Sequence, residues 1–293
     1  AAARLTAGGP PQVRVGPGAG FWVALVSAGL LVVDARARLH PRPAMRLAIV
    51  AVAVAIGAAI LWSGALSQLS IMQEYGNRSA SFWREGARHL WLAFGSFAAA
   101  MLAGVPLGIG LTRARRARAP VLGLLTMLQT IPSMALFGML IAPLAWIAAN
   151  VPAAHALGIR GIGAAPAFAA LFLYSLLPIV ANTVAGLTGV PRSVTEAADG
   201  MGLTRRQRLI SVDVPLALPV IVSAARIVLV QNIGMATVGA LIGAGGFGTF
   251  VFQGIGQTAT DLILLGALPT VALAFATSAV LDALIGMLPG TAR

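Results

Sequence analysis

Lysine is absent: all 20 basic residues of the 293-residue chain are arginine. That excludes a Walker A phosphate loop, which needs a lysine after its glycines. If this chain takes part in ATP-driven work, hydrolysis must fall to another protein. Cysteine is absent too, which rules out disulfides, thiolate metal ligands and a cysteine nucleophile. His40, His89 and His155 are too scattered to give a metal-ligand spacing, so no metal site is expected. Charge of either sign is scarce. Only 10% of residues are charged, against about 25% in soluble domains.

What fills the chain is apolar. Hydrophobic residues make up 58% and the mean hydropathy is +0.90, as in a polytopic membrane protein. Apolar stretches run over residues 18–33, 47–66, 90–111, 121–144, 165–187, 216–237 and 262–288, with Pro132, Pro178 and Pro269 inside three of them. The first has about 16 residues where about 20 are needed to span. The expectation is therefore an all-α bundle of seven transmembrane helices, or six if 18–33 lies on the inner surface. Residues 34–46, 67–88 and 145–164 read as polar connections. The chain divides into a Gly/Pro-rich tail (1–17), N-terminal accessory helices with an external segment (18–80), a main transmembrane domain (81–289) and a short cytoplasmic tail (290–293).

The net charge of +12 would suggest a nucleic-acid partner in a soluble protein. Here the arginines sit in loops between spans, so they report orientation and no nucleic acid is expected. Thirteen of the 20 fall at 36–46, 113–118, 192–208 and 293, which places those loops in the cytoplasm. Trp22, Trp62, Trp83, Trp91 and Trp146 then fall near the outer interface. Arg226 lies inside a span, with Asp282 on the last span as a possible partner and snorkelling as the alternative.

The longest polar interruption of the second half is Pro191 to Pro215, PRSVTEAADGMGLTRRQRLISVDVP. Ser193 to Glu196 and Thr204 to Gln207 each fit a capping box. Gly200 and Gly202 lie between them, where a left-handed residue would turn the chain. The segment reads as helix, turn, helix. Glu196 is either a cap or a contact residue. A DNA-reading helix-turn-helix is rejected because spans on both sides hold the loop against the bilayer.

Gly243, Gly245, Gly246 and Gly248 satisfy the dinucleotide pattern GxGxxG. A transmembrane stretch precedes them in place of a strand, which removes that reading. They mark either a helix broken at depth, forming a gate, or an external turn. Gly104 and Gly108 make a GxxxG that permits close helix contact. Polar residues within spans are either path-lining or interhelical glue. Gln129 and Ser133, four apart, are expected on one helical face; Ser175 and Asn182 flank Pro178; Gln231 and Asn232 precede the glycine break.

Several of these stretches carry a resemblance. Glu196-Ala197-Ala198, then Gly202, then Val212-Asp213-Val214-Pro215 resembles the EAA loop of bacterial ABC importer permeases, with valines where that family favours Ile and Leu. Leu128 to Ser133, Phe172 to Val180 with Asn182-Thr183, Gln231 to Gly234 and Ile242 to Gly248 extend the resemblance over about 81–289, towards the osmoprotectant branch for glycine betaine, choline, carnitine or proline betaine. The resemblance implies an integral protein of the bacterial cytoplasmic membrane, with Glu196, Ala197, Ala198, Gly202, Arg205, Arg206 and Pro215 in a cytoplasmic coupling loop. It implies three kinds of partner besides the lipid bilayer: an ATPase subunit that uses ATP and Mg, a second permease subunit and an external substrate-binding protein. This chain would bind no cofactor and carry no catalytic residue. No aromatic cage for a quaternary ammonium is evident, which assigns specificity mostly to the binding protein. A permease for methionine or another small solute is the alternative. An ion-coupled secondary transporter would require paired ionisable groups at mid-membrane.

Overall fold

The computed structural model describes residues 16, 18–39, 41–156 and 158–287. The expected tails at 1–17 and 290–293 lie outside these residues except for Gly16. Among the described residues every regular element is helical. The elements are α1 (Ala19–Leu39), α2 (Pro43–Trp62), α3 (Ser70–Arg113), α4 (Arg115–Thr130), α5 (Ser133–Asn150), α6 (Pro152–Ala156), α7 (Ala164–Thr188), α8 (Arg192–Gly200), α9 (Arg205–Ile242), α10 (Gly248–Gly256) and α11 (Thr260–Ile285). Six of them are long and apolar enough to cross a membrane, and Ala19–Val32 is a shorter apolar stretch.

Three expected loops are largely helix. Residues 34–46 continue α1 to Leu39, and α2 then starts with Pro43 at its first helical position, where a missing N–H costs nothing. Residues 67–88 form the first half of α3, which bends at Arg78 and passes a π turn at Trp91–Gly95. Its 44 residues would extend about 66 Å, twice the hydrocarbon thickness, so the amphipathic half before Leu90 belongs outside it. Residues 145–164 carry the end of α5 and the short α6.

The expected span 121–144 is broken. Ile131 takes an extended conformation ahead of Pro132, because a proline ring disfavours the helical region for the residue before it. Gln129 therefore lies in the last turn of α4 and Ser133 begins α5. The two do not share a helical face as their spacing suggested.

At the centre, α7 packs against α3 on one side and α9 on the other. The α3 contact is close because Gly104 and Gly108 oppose Ile179 and Thr183. A β-carbon added at either glycine would lie 2.8 Å from Ile179 Cγ2 or 2.6 Å from Thr183 Cβ. Leu92, Ala93, Leu171, Ile233 and Ala236 fill one part of this core, and Ala100, Ile179, Val180, Val184 and Val228 another. The accessory helix α2 lies along α11. An ionic clasp fastens it: Asp282 accepts from Arg226 Nη1 at 2.5 Å and from Arg46 Nη1 at 3.3 Å. Arg226 thus has the acidic partner that the sequence offered.

Candidate functional site: coupling loop, polar junction and glycine break

The loop between α7 and α9 is two helices joined by a glycine turn. Helix α8 ends in a Schellman arrangement: Gly202 N–H donates to Asp199 O at 3.0 Å and Leu203 N–H to Ala198 O at 3.2 Å. Gly202 supplies the left-handed residue at φ +77°, with open space around it. Thr204 then starts α9 with a capping box: its hydroxyl accepts from Gln207 N–H, while its own N–H donates to Gln207 Oε1 at 2.9 Å. The first expected capping box does not form. Pro191 occupies the N-cap and Arg192 is already helical, so Ser193 lies two positions past the cap. Glu196 is exposed and free of that role. Arg208 ties the loop to the span above it, through Nη1 to Asp199 Oδ2 at 2.6 Å and Nε to Asp213 Oδ2 at 3.5 Å. Ala198 is buried, and Ala197, Arg205 and Arg206 are exposed. Pro215 sits in the first turn after the π turn Leu209–Asp213.

Mid-span, Asn232 of α9 reaches both neighbouring helices. Its Nδ2 donates to Ser96 Oγ at 3.1 Å and to Ser175 Oγ at 2.9 Å, and all three residues are buried. Ser175 also donates to Leu171 O at 2.7 Å within its own helix. One level away, Gln129 Nε2 donates to Tyr174 O at 2.8 Å, while Tyr174 OH donates to Ile131 O. The break at Pro132 is thereby tied to α7 by the Tyr174 side chain on the Ile131 carbonyl and by Gln129 on the α7 backbone, as backbone freed at membrane depth requires. Asn182 and Gln231, both half-buried, bond only within their own helices, to Pro178 O at 2.8 Å and Met235 Sδ at 3.4 Å. Ser133 is half-buried at the start of α5.

The glycine stretch is a covered helix break. A 3₁₀ turn over Gly239–Ile242 leads into Gly243, Gly245 and Gly246, all with φ between +76° and +85°. Residues 244–248 are buried, beneath the first half of α3. Glu85 Oε2 accepts from Gly246 N–H at 2.8 Å, and a β-carbon on Gly245 would lie 2.6 Å from the same carboxylate oxygen. The His89 ring packs on Phe247 with centroids 5.1 Å apart. Gly248 faces the Thr237 carbonyl so closely that no side chain fits.

An all-helical bundle with a two-helix loop at one end and a covered break towards the other has clear relatives. Residues 100–290 match the binding-protein-dependent transport system inner membrane components. The chain belongs to that family. It is therefore a multi-pass inner-membrane permease component, without an ATPase site of its own. Residues 1–72 match the N-terminal domain of the ABC transporter permease YehY. The permease is 44% identical over 181 residues to the osmoprotectant import permease protein OsmW of Salmonella typhimurium, which covers 62% of this chain and 79% of that one. It is 36% identical over 207 residues to the carnitine transport permease protein OpuCB of Listeria monocytogenes, covering 70% and 86%. With the glycine betaine/carnitine/choline permease protein OpuCB of Bacillus subtilis the identity is 34%, covering 64% and 78%. Among solved structures, an inward-facing MetNI methionine ABC transporter matches with TM-score 0.60 at 22% identity, over 73% of this chain and 96% of that one, a likeness of fold.

In this permease the structure joins candidates that the sequence left apart. Ser175 and Asn232 meet directly. Sequence reading missed Ser96, Glu85, Tyr174 and Arg208 as partners. Ser96 and Glu85 had no pattern to mark them. Tyr174 was legible, since a tyrosine in an apolar span needs an acceptor for its hydroxyl. Among the described residues no group of three or more His, Asp and Glu is placed to hold a metal.

Proposed function

We propose that the permease forms the translocation path for a small osmoprotectant such as glycine betaine or choline and couples it to a separate ATP-hydrolysing subunit. A substrate-binding protein delivers the solute at the outer face, and a second permease subunit completes the path. The observation that carries the coupling is the Arg208 clasp. The Asp199–Arg208 pair bridges the glycine turn between α8 and α9, so a push on α8 reaches the first turn of α9 through that contact as well as through the backbone. Helix α9 in turn holds Asn232 at the three-helix junction and leads into the glycine break. The accessory unit (18–80) stands beside the path, and 81–289 contains it.

Within the path we assign lining roles to Gln129, Ser133, Asn182 and Gln231, whose side chains keep partial exposure. Ser175 and Asn232 act as the junction on which the helices move, and Gly243, Gly245, Gly246 and Gly248 as the gate. Support for the osmoprotectant comes from relatives at 34–44% identity that are named for such solutes. The test is uptake of labelled glycine betaine and choline into vesicles holding the permease, its ATPase and its binding protein. Saturable uptake that ATP drives and unlabelled betaines inhibit is expected. Competition by methionine and none by betaines would assign a different solute.

A further inference from the structure

Beneath the coupling loop lies a polar cavity of about 730 Å³, within the range of sites that enclose small ligands. Its walls are the last turns of α3 and α7, the start of α4, helix α8 and the first turns of α9. Five arginines line it against two aspartates. Both aspartates are engaged by Arg208. Arg113, Arg115, Arg192 and Arg205 remain, and none of the four has an acidic partner among the described residues. These four arginines are exposed, so solvent screens part of their mutual repulsion, and an anion held between them would relieve the rest. Arg192 and Arg205 also stand in the first turns of α8 and α9, where the helix dipole disfavours positive charge and favours an anion.

We infer that this cavity binds a phosphate group, through guanidinium forks that match its oxygens. Its walls include the ends of two spans, so it sits at the level where phospholipid headgroups lie. Basic pockets between transmembrane helices on the cytoplasmic side take anionic headgroups. A bound phosphate would bridge the α3–α4 connection to the coupling loop and stiffen the joint between them. Lipid composition would then set how well ATP hydrolysis drives transport. This consequence, unlike the binding itself, rests on the loop being the ATPase contact proposed above.

The test uses the assembled importer purified in detergent, with labelled phosphatidylglycerol and phosphatidylcholine as probes and inorganic phosphate as competitor. Phosphatidylglycerol should bind in preference to phosphatidylcholine. Arg113→Gln with Arg115→Gln should weaken it roughly thirtyfold, at about 1 kcal/mol for each arginine, while Lys at both positions, which keeps the charge and loses the fork, should give an affinity between the two. Displacement of the lipid by millimolar phosphate would identify free phosphate as an equal source, and resistance to it the headgroup. Unchanged lipid binding in the Gln variant would overturn the site. So would loss of ATPase co-purification with lipid binding intact, since the arginines would then be protein contacts. Wild-type betaine uptake, measured in vesicles from the same preparation, separates failure of the site from failure of the functional reading.

Discussion

Glu196 looks like a capping residue in the sequence and is not one in the fold. Its carboxylate is exposed and away from the N-cap, so Glu196→Ala forfeits none of the 0.5–2 kcal/mol that a cap contributes. The variant should melt within about 0.5 kcal/mol of wild type, as expected for a surface change. Its loss should appear instead in ATPase association, measured by co-purification. A large drop in melting temperature would return Glu196 to a structural role. Asp282 behaves oppositely. It answers two arginines and is about a quarter exposed, so Asp282→Asn should destabilise by on the order of 1–3 kcal/mol, less than the 3–5 kcal/mol of a fully buried pair. Thermal unfolding in detergent reads this out. Removing α1 and α2 from the same variant should lessen the penalty, because Arg46 leaves with them.

At the scale of elements, the two helices of the coupling loop depend on Gly202. A left-handed conformation costs a residue with a side chain about 1–2 kcal/mol, and there is no neighbour for that side chain to meet. Gly202→Val should therefore insert normally, yet misdirect α9 relative to α8, weaken ATPase co-purification and abolish uptake. Full uptake would remove this loop from the coupling role. Gly108 tests a different kind of constraint. Its backbone is ordinary helix, but Thr183 leaves no room for a β-carbon. Gly108→Leu must push α3 from α7 and should cost more than the 1–3 kcal/mol typical of overpacking in a core that can adjust. Detergent unfolding would show this, whereas Gly110→Leu, with nothing within 4 Å, should be nearly silent.

At the scale of the whole molecule, the proposed orientation rests on its arginines. In the fold, Arg113, Arg115, Arg192 and Arg205 line one cavity at one end, while Arg88 and Arg160 line another beside Gly163 and Gly243. A chain without cysteine offers a clean background for labelling. Cysteine at the exposed Ala114 should react with an impermeant maleimide only after permeabilisation, and cysteine at the exposed Gln257 in intact cells. The reverse pattern would invert the topology and move the phosphate site to the outer face.

Composition and order along the chain determined much of this protein. Apolar runs fixed an all-helical membrane bundle, because the bilayer core accepts no unsatisfied backbone. Lysine's absence removed any Walker loop, and Gly202 between two polar helices marked the left-handed turn of the 191–215 loop, since only glycine adopts that conformation freely. Tertiary structure decided what depends on partners distant in sequence. Asn232 could line a path or join helices on sequence grounds, and Ser96, 136 residues away, made it a junction. Pro132 read as lying inside one span, and the fold breaks there because Ile131 is extended ahead of it, with Tyr174 satisfying the Ile131 carbonyl. Gly243, Gly245, Gly246 and Gly248 read equally as an external turn or a break at depth. Glu85, folded over them from α3, supplied the acceptor that lets such a backbone lie buried.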